Sequence, residues 1–157
     1  MWLDLLVKIR ILYGEVETNP QKAVQMRALT TQLPMESEPL RLAYQAAGKA
    51  LEARETWLPW EKLACFKESM QLFAQAIAQN PIQIEVRFLR YTIQYNTPSL
   101  LGMSTDMAED KKIILQYIQT DTTDTYMKVS IAKYLLKYGT FNRQELAILN
   151  ALIIDFS

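Results

Sequence analysis

Residues 60–95, WEKLACFKESMQLFAQAIAQNPIQIEVRFLRYTIQY, carry two apolar runs around one proline break. Leu63, Phe66, Met70, Phe73 and Ile77 recur every three or four residues, so they share one helical stripe. Trp60, Ala64, Leu72 and Ala76 form a second stripe. Apolar groups then cover more than half the circumference, which predicts a helix buried between neighbours on two sides. Glu61, Lys62, Lys67, Glu68, Gln71 and Gln75 are left for solvent. Pro59 suits a first helical turn, where its missing N–H costs nothing. Asn80-Pro81 stops the helix, because the residue before a proline is pushed out of the α region.

Beyond Pro81 two periods compete. Ile82, Ile84, Val86 and Phe88 alternate with Gln83, Glu85 and Arg87, as in a strand. Ile84, Phe88, Tyr91 and Tyr95 also form a helical stripe, with Leu89 and Ile93 beside it. The run is long for a strand, and a lone strand would leave its backbone groups unpaired. A helix is therefore expected here.

Working outward, Met1 to Tyr13 reads as a helix with Trp2, Leu5, Leu6, Ile9 and Leu12 on one face and Gly14 at its end. Asn19 and Pro20 suit the start of the next, whose stripe is Ala23, Met26, Thr30 and Leu33 up to Pro34. Ser37-Glu38-Pro39 opens a third, with Leu40, Ala43, Tyr44, Ala47, Ala50 and Leu51 inward; Ala46, Ala47, Gly48 and Ala50 are small and let a neighbour approach closely, the helix from Trp60 being the natural partner. Trp57 and Trp60 fall at the turn that follows, as a plug over the hairpin end or as an exposed site for a ligand or partner.

A loop through Thr97-Pro98, Gly102 and Ser104 leads to a helix from about Met107, with Ile113, Ile114, Tyr117 and Ile118 inward. Asp106, Glu109 and Asp110 at its start are read as complements to the helix N-terminus rather than as a cation site, since they lack calcium-loop spacing. Asp121 to Asp124 caps the next helix, whose inner face is Met127, Ile131, Tyr134, Leu135 and Tyr138, with Lys128, Lys133 and Lys137 outward and Gly139 as the C-cap. Asn142 and Glu145 have the spacing of a capping box. The last helix, Leu146 to Ile154, is apolar nearly all round, so it inserts between helices or meets a second copy as a homodimer.

The chain of 157 residues is long enough for one domain, 1–157, with a substantial core. Its 17 basic and 17 acidic residues are intermixed, which argues against nucleic acid as a main partner. No histidine is present, so Ser-His-Asp, Cys-His and His-metal chemistry are impossible. There is no Gly-rich phosphate loop. Paired carboxylates stay open as acid/base groups, but nothing singles a pair out, and a non-enzyme without cofactor is expected. Cys65 is the single cysteine and reads as a small buried apolar residue. Asp4, Lys8 and Arg10 interrupt the most apolar end, so no membrane span or signal-peptide core is expected. The chain reads as cytoplasmic as given, an export signal upstream of it being the alternative.

Around the central hairpin the sequence resembles the tetratricopeptide repeat. Ser69, Phe73, Ala76 and Pro81 follow the small–aromatic–small–proline order of that family's second helix, and Tyr44, Ala47, Gly48 and Leu51 loosely follow its first. The span from Tyr44 to Pro81 already exceeds the family's period of ~34 residues. The resemblance covers about a quarter of the chain. It implies stacked helix pairs with a concave side, and it supplies no binding residues.

Breaks at Pro20, Pro39, Pro59, Pro81 and Pro98 recur about every 20 residues, the rhythm of stacked hairpins. The expectation is an all-α chain of about eight helices in four antiparallel pairs, a tetratricopeptide-like right-handed α-solenoid. The function expected is an interaction module for a protein or peptide, with Trp57, Trp60, Tyr91 and Tyr95 as candidate contacts; the pairs Tyr91/Tyr95 and Tyr134/Tyr138 belong to a groove or to the core. The alternative is a small-molecule-binding or dimerising regulatory domain.

Overall fold

A computed structural model describes residues 1–98, 102, 105–120 and 124–155. Among these there are eight α-helices and no strand: α1 (Trp2–Glu15), α2 (Lys22–Thr30), α3 (Leu40–Glu55), α4 (Pro59–Gln79), α5 (Ile84–Tyr95), α6 (Met107–Gln119), α7 (Thr125–Tyr138) and α8 (Arg143–Asp155). The segment that could have been a strand is α5. Its helix starts at Ile84, and Ile82, the first residue of the alternation, is 82% exposed outside it. The expected positions Ser104 and Asp121 lie outside the described residues.

Side-chain chemistry sets several helix ends. Asn19 accepts a bond from the Gln21 N–H at 3.2 Å, so the turn into α2 starts at Pro20. The Asp124 carboxylate accepts from the Met127 N–H at 3.0 Å and caps α7. Asn142 and Glu145 exchange two bonds of 2.9 Å, the reciprocal box their spacing predicts. Gly102, at φ +65°, occupies the left-handed region that glycine tolerates without cost. Gly14 does not end α1, which runs on to Glu15 because nothing at that glycine forces a turn.

The most buried elements are α3 and α5. In α3, Leu42, Ala43, Tyr44, Ala46, Ala47, Gly48, Ala50, Leu51 and Ala53 are all shielded. It packs along α4, and also against α2 and α5. The expectation that α4 is buried on two sides is overturned: only Ser69, Phe73 and Ala76 are fully buried in it. Its second stripe is split: Trp60, 68% exposed, and Ala64 face outward, whereas Leu72 packs against the core and Ala76 is completely buried. The small residues of α3 let it take the covered position instead. The Ser69 hydroxyl donates to the Ala46 carbonyl at 2.7 Å, and Lys62 Nζ to the Ala53 carbonyl at 3.1 Å, so later residues of α4 meet earlier residues of α3. Gly48 admits α2: a Cβ there would lie 2.9 Å from Arg27 Cγ.

The core falls into two clusters. The first gathers α1 to α4 with Val86, Leu89 and Ile93 of α5. The second gathers Ile114, Ile118, Ile131, Leu135, Leu149 and Leu152 with Ile84, Phe88 and Tyr91 of α5. Among the described residues α5 is the one helix with side chains in both. Its two apolar stripes therefore serve two different cores, which leaves it no solvent face. No helix among the described residues is long and apolar enough to cross a membrane.

Candidate interaction site

The turn between α3 and α4 is built by polar side chains that leave its tryptophans outside. Thr56 and Leu58 are extended, as the residue before Pro59 must be. The Thr56 hydroxyl donates to Glu61 Oε2 at 2.5 Å and accepts from the Leu58 N–H at 3.3 Å. These bonds fix the turn. Trp57 is 83% exposed and Trp60 68% exposed, so neither plugs the hairpin end. Both present a large ring to solvent, an arrangement that buries much apolar area at little entropic cost when a partner arrives.

The tyrosine candidates divide. Tyr91 is 3% exposed and belongs to the second cluster, so it is a core residue and not a contact. Tyr95 stacks on it at 6.1 Å between ring centroids and is 37% exposed at the rim. Tyr134 packs edge-on to Phe88 at 5.3 Å, while Tyr138 is 41% exposed. The rings of Tyr134 and Tyr138 touch at 4.8 Å, so that pair straddles the core and the surface.

A cleft of about 260 Å³ opens among α2, α3 and α4, lined in part by Arg27, Tyr44, Lys49, Glu52, Glu68 and Leu72. Its cations are answered within the fold. Arg27 makes two bonds of 2.9 and 3.1 Å to Glu55, and Lys49 sits 3.3 Å from both Glu52 and Glu68. That leaves no concentrated charge for an anion. The volume is below the range of roughly 300–1,000 Å³ common for small-molecule sites.

Two buried polar clusters escaped the sequence reading. Glu85 on α5 accepts from Arg10 Nε at 2.7 Å and Nη2 at 2.6 Å on α1, and from the Tyr44 hydroxyl at 2.5 Å on α3. Burial and then the Glu85 charge hold the Tyr44 phenol well above its usual pKa. On the other side of α5, Asp110 is completely buried. It accepts from Arg87 Nη1 at 3.0 Å, and from Arg90 Nε at 2.7 Å and Nη2 at 2.8 Å. Asp110 is thus an ion-pair partner of α5 and not simply a complement to the α6 N-terminus. Burial alone would lower the Arg90 pKa, and the Asp110 bonds outweigh it and raise it. The available signal was in α5: two apolar stripes leave Glu85, Arg87 and Arg90 nowhere to go but inward.

Lys128, expected outward, is 5% exposed; its ammonium donates to the Thr120 carbonyl and lies 5.6 Å over the Tyr117 ring. Cys65 is half-buried rather than a core residue, and burial pushes its thiol pKa up. No family model, curated protein or solved structure matches the chain.

Proposed function

We propose that this protein is a non-catalytic, cytoplasmic interaction module that binds a protein or peptide partner through Trp57 and Trp60. The observation that carries the reading is the outward position of both rings on a turn held by Thr56 and Glu61. Exposed aromatic anchors on a rigid support are the common source of binding energy at interfaces. In this reading the helices stack as four antiparallel hairpins in a tetratricopeptide-like right-handed solenoid. Support comes from the packing order: every extensive helix contact joins elements adjacent or next-but-one in sequence. Burial of Ser69, Phe73 and Ala76, the positions of the repeat-like spacing, points the same way.

The test compares wild type with a W57A/W60A double variant in affinity capture from native lysate. Both rings are exposed, so each substitution should change stability by less than about 0.5 kcal/mol. The expected result is an unchanged melting temperature with loss of the captured partner. Recovery of the same proteins by both forms would overturn the reading. Self-association through α8 is a second reading, favoured by Leu146, which is 37% exposed on that helix. Light scattering that finds a monomer at micromolar concentration would rule it out.

A further inference from the structure

We infer that α6, α7 and α8 form a cooperative unit that opens from α5 while α1 to α5 stay folded, with Asp110 as the clamp. The first support is the division of the apolar core. The helices α7 and α8 pack together, α6 packs on α8 and more extensively on α5, and the inner side chains of all three share one cluster, separate from that of α1 to α4. Only Ile84, Phe88 and Tyr91 of α5 join them from the other half among the described residues. A segment with its own core can open as a body, at a free energy below that of global unfolding.

The second support is the chemistry of the joint. Where α6 meets α5, the apolar contact of Ile84, Phe88 and Tyr91 is joined by a buried ion cluster of Arg87, Arg90 and Asp110, whose side chains are 5%, 7% and 0% exposed. Asp106 adds a bond from Gln94 Nε2 at 3.1 Å. A buried ion cluster fixes direction and register, but its desolvation cost offsets most of its attraction, so it adds less depth than apolar packing of the same volume. Gln94 also carries a cost: its carbonyl oxygen is buried without a partner among the described residues. That cost is relieved on opening, when water reaches it. A further link, from Asn96 Nδ2 to the Tyr134 hydroxyl, is long at 3.4 Å.

By contrast, the α3–α4 joint holds no buried ion pair among the described residues and is closely packed, with Phe73 and Ala76 completely buried against the small side of α3. The two halves therefore differ in what holds them. Opening would uncover Ile84, Phe88 and Tyr91 beside two guanidinium groups, a surface of mixed aromatic and basic character that the closed form hides.

Hydrogen exchange read by peptide mass spectrometry on the intact protein tests this. The expected pattern is one shared, faster rate across residues 107–155 and slower exchange in α3 and α5. In D110N the exchange of 107–155 should accelerate on the order of a hundredfold, since one partner of a buried pair is lost, while α1 to α4 keep their rates. Equal protection across both halves of the wild type would overturn the inference. So would a D110N variant whose α1 to α4 accelerate as much as α6 to α8. If D110N does not fold, the wild-type pattern decides alone: grouped, faster exchange of 107–155 supports the unit, and uniform exchange sinks it.

Discussion

Glu85 sits where α1, α3 and α5 meet, with its side chain 6% exposed and three bonds directed at it. Its removal would strand the Arg10 guanidinium and the Tyr44 hydroxyl. Breaking a buried pair costs about 3–5 kcal/mol when the remaining charge cannot rehydrate. Arg10 is 37% exposed and can partly recover water, so E85A should cost about 3 kcal/mol, the lower end. Y44F leaves both Arg10 bonds intact and, because the lost bond is to a carboxylate, should cost about 2 kcal/mol. Urea unfolding midpoints give the comparison; a Y44F loss equal to that of E85A would show that the arginine bonds add nothing.

At the scale of helices, the joint between α3 and α4 depends on how close their backbones come. Ser69 is completely buried and bonds the Ala46 carbonyl, with Ala43, Ala47 and Ala50 nearby on α3. A larger side chain has no void to enter, so S69L should destabilise by about 1–3 kcal/mol through overpacking. Thermal denaturation checks this; a neutral S69L would mean that the helices can separate freely. This joint was legible in the sequence, because small residues at helical spacing state where a neighbour fits. The α5 helix was legible too, once a lone strand was rejected for its unpaired backbone. The outward turn of Trp57 and Trp60 was not, since a large apolar ring carries no mark of whether anything covers it. The two stripes of α5 mark Arg87 and Arg90 as inward, but not that Asp110 answers them. Their pairing is a matter of which helices meet, and a charge at the start of α6 looks the same in either case.

For the whole molecule the tyrosines set the alkaline limit. Burial, then the neighbouring Tyr95 and Glu145, push the Tyr91 phenol from its ordinary 10.0 up to about 12. The Tyr13, Tyr44 and Tyr134 phenols shift in the same direction, each with burial as the leading cause. A folded-state pKa above the unfolded one means the folded protein holds its proton more tightly. The stabilising contribution is therefore complete below the unfolded value and is lost as pH rises through the folded one. For Tyr91 that window runs from 10.0 to about 12. Unfolding free energy should fall steadily across it, and Y91F should remove about 2 kcal/mol of the fall. Urea titrations at both ends of the window measure it; a Y91F variant with the wild-type slope would assign the loss to other groups.

The position of α5 between two cores also governs how this chain can change over time. An inward residue of α4 has one neighbourhood to satisfy, and its outer flank has almost none. A residue of α5 such as Leu89 or Arg90 borders its own core and, one step away along the same helix, side chains committed to the other. A new side chain there must suit one half without shifting the helix under the second, so tolerated variants should be scarce along residues 84–95 and plentiful along the open side of α4.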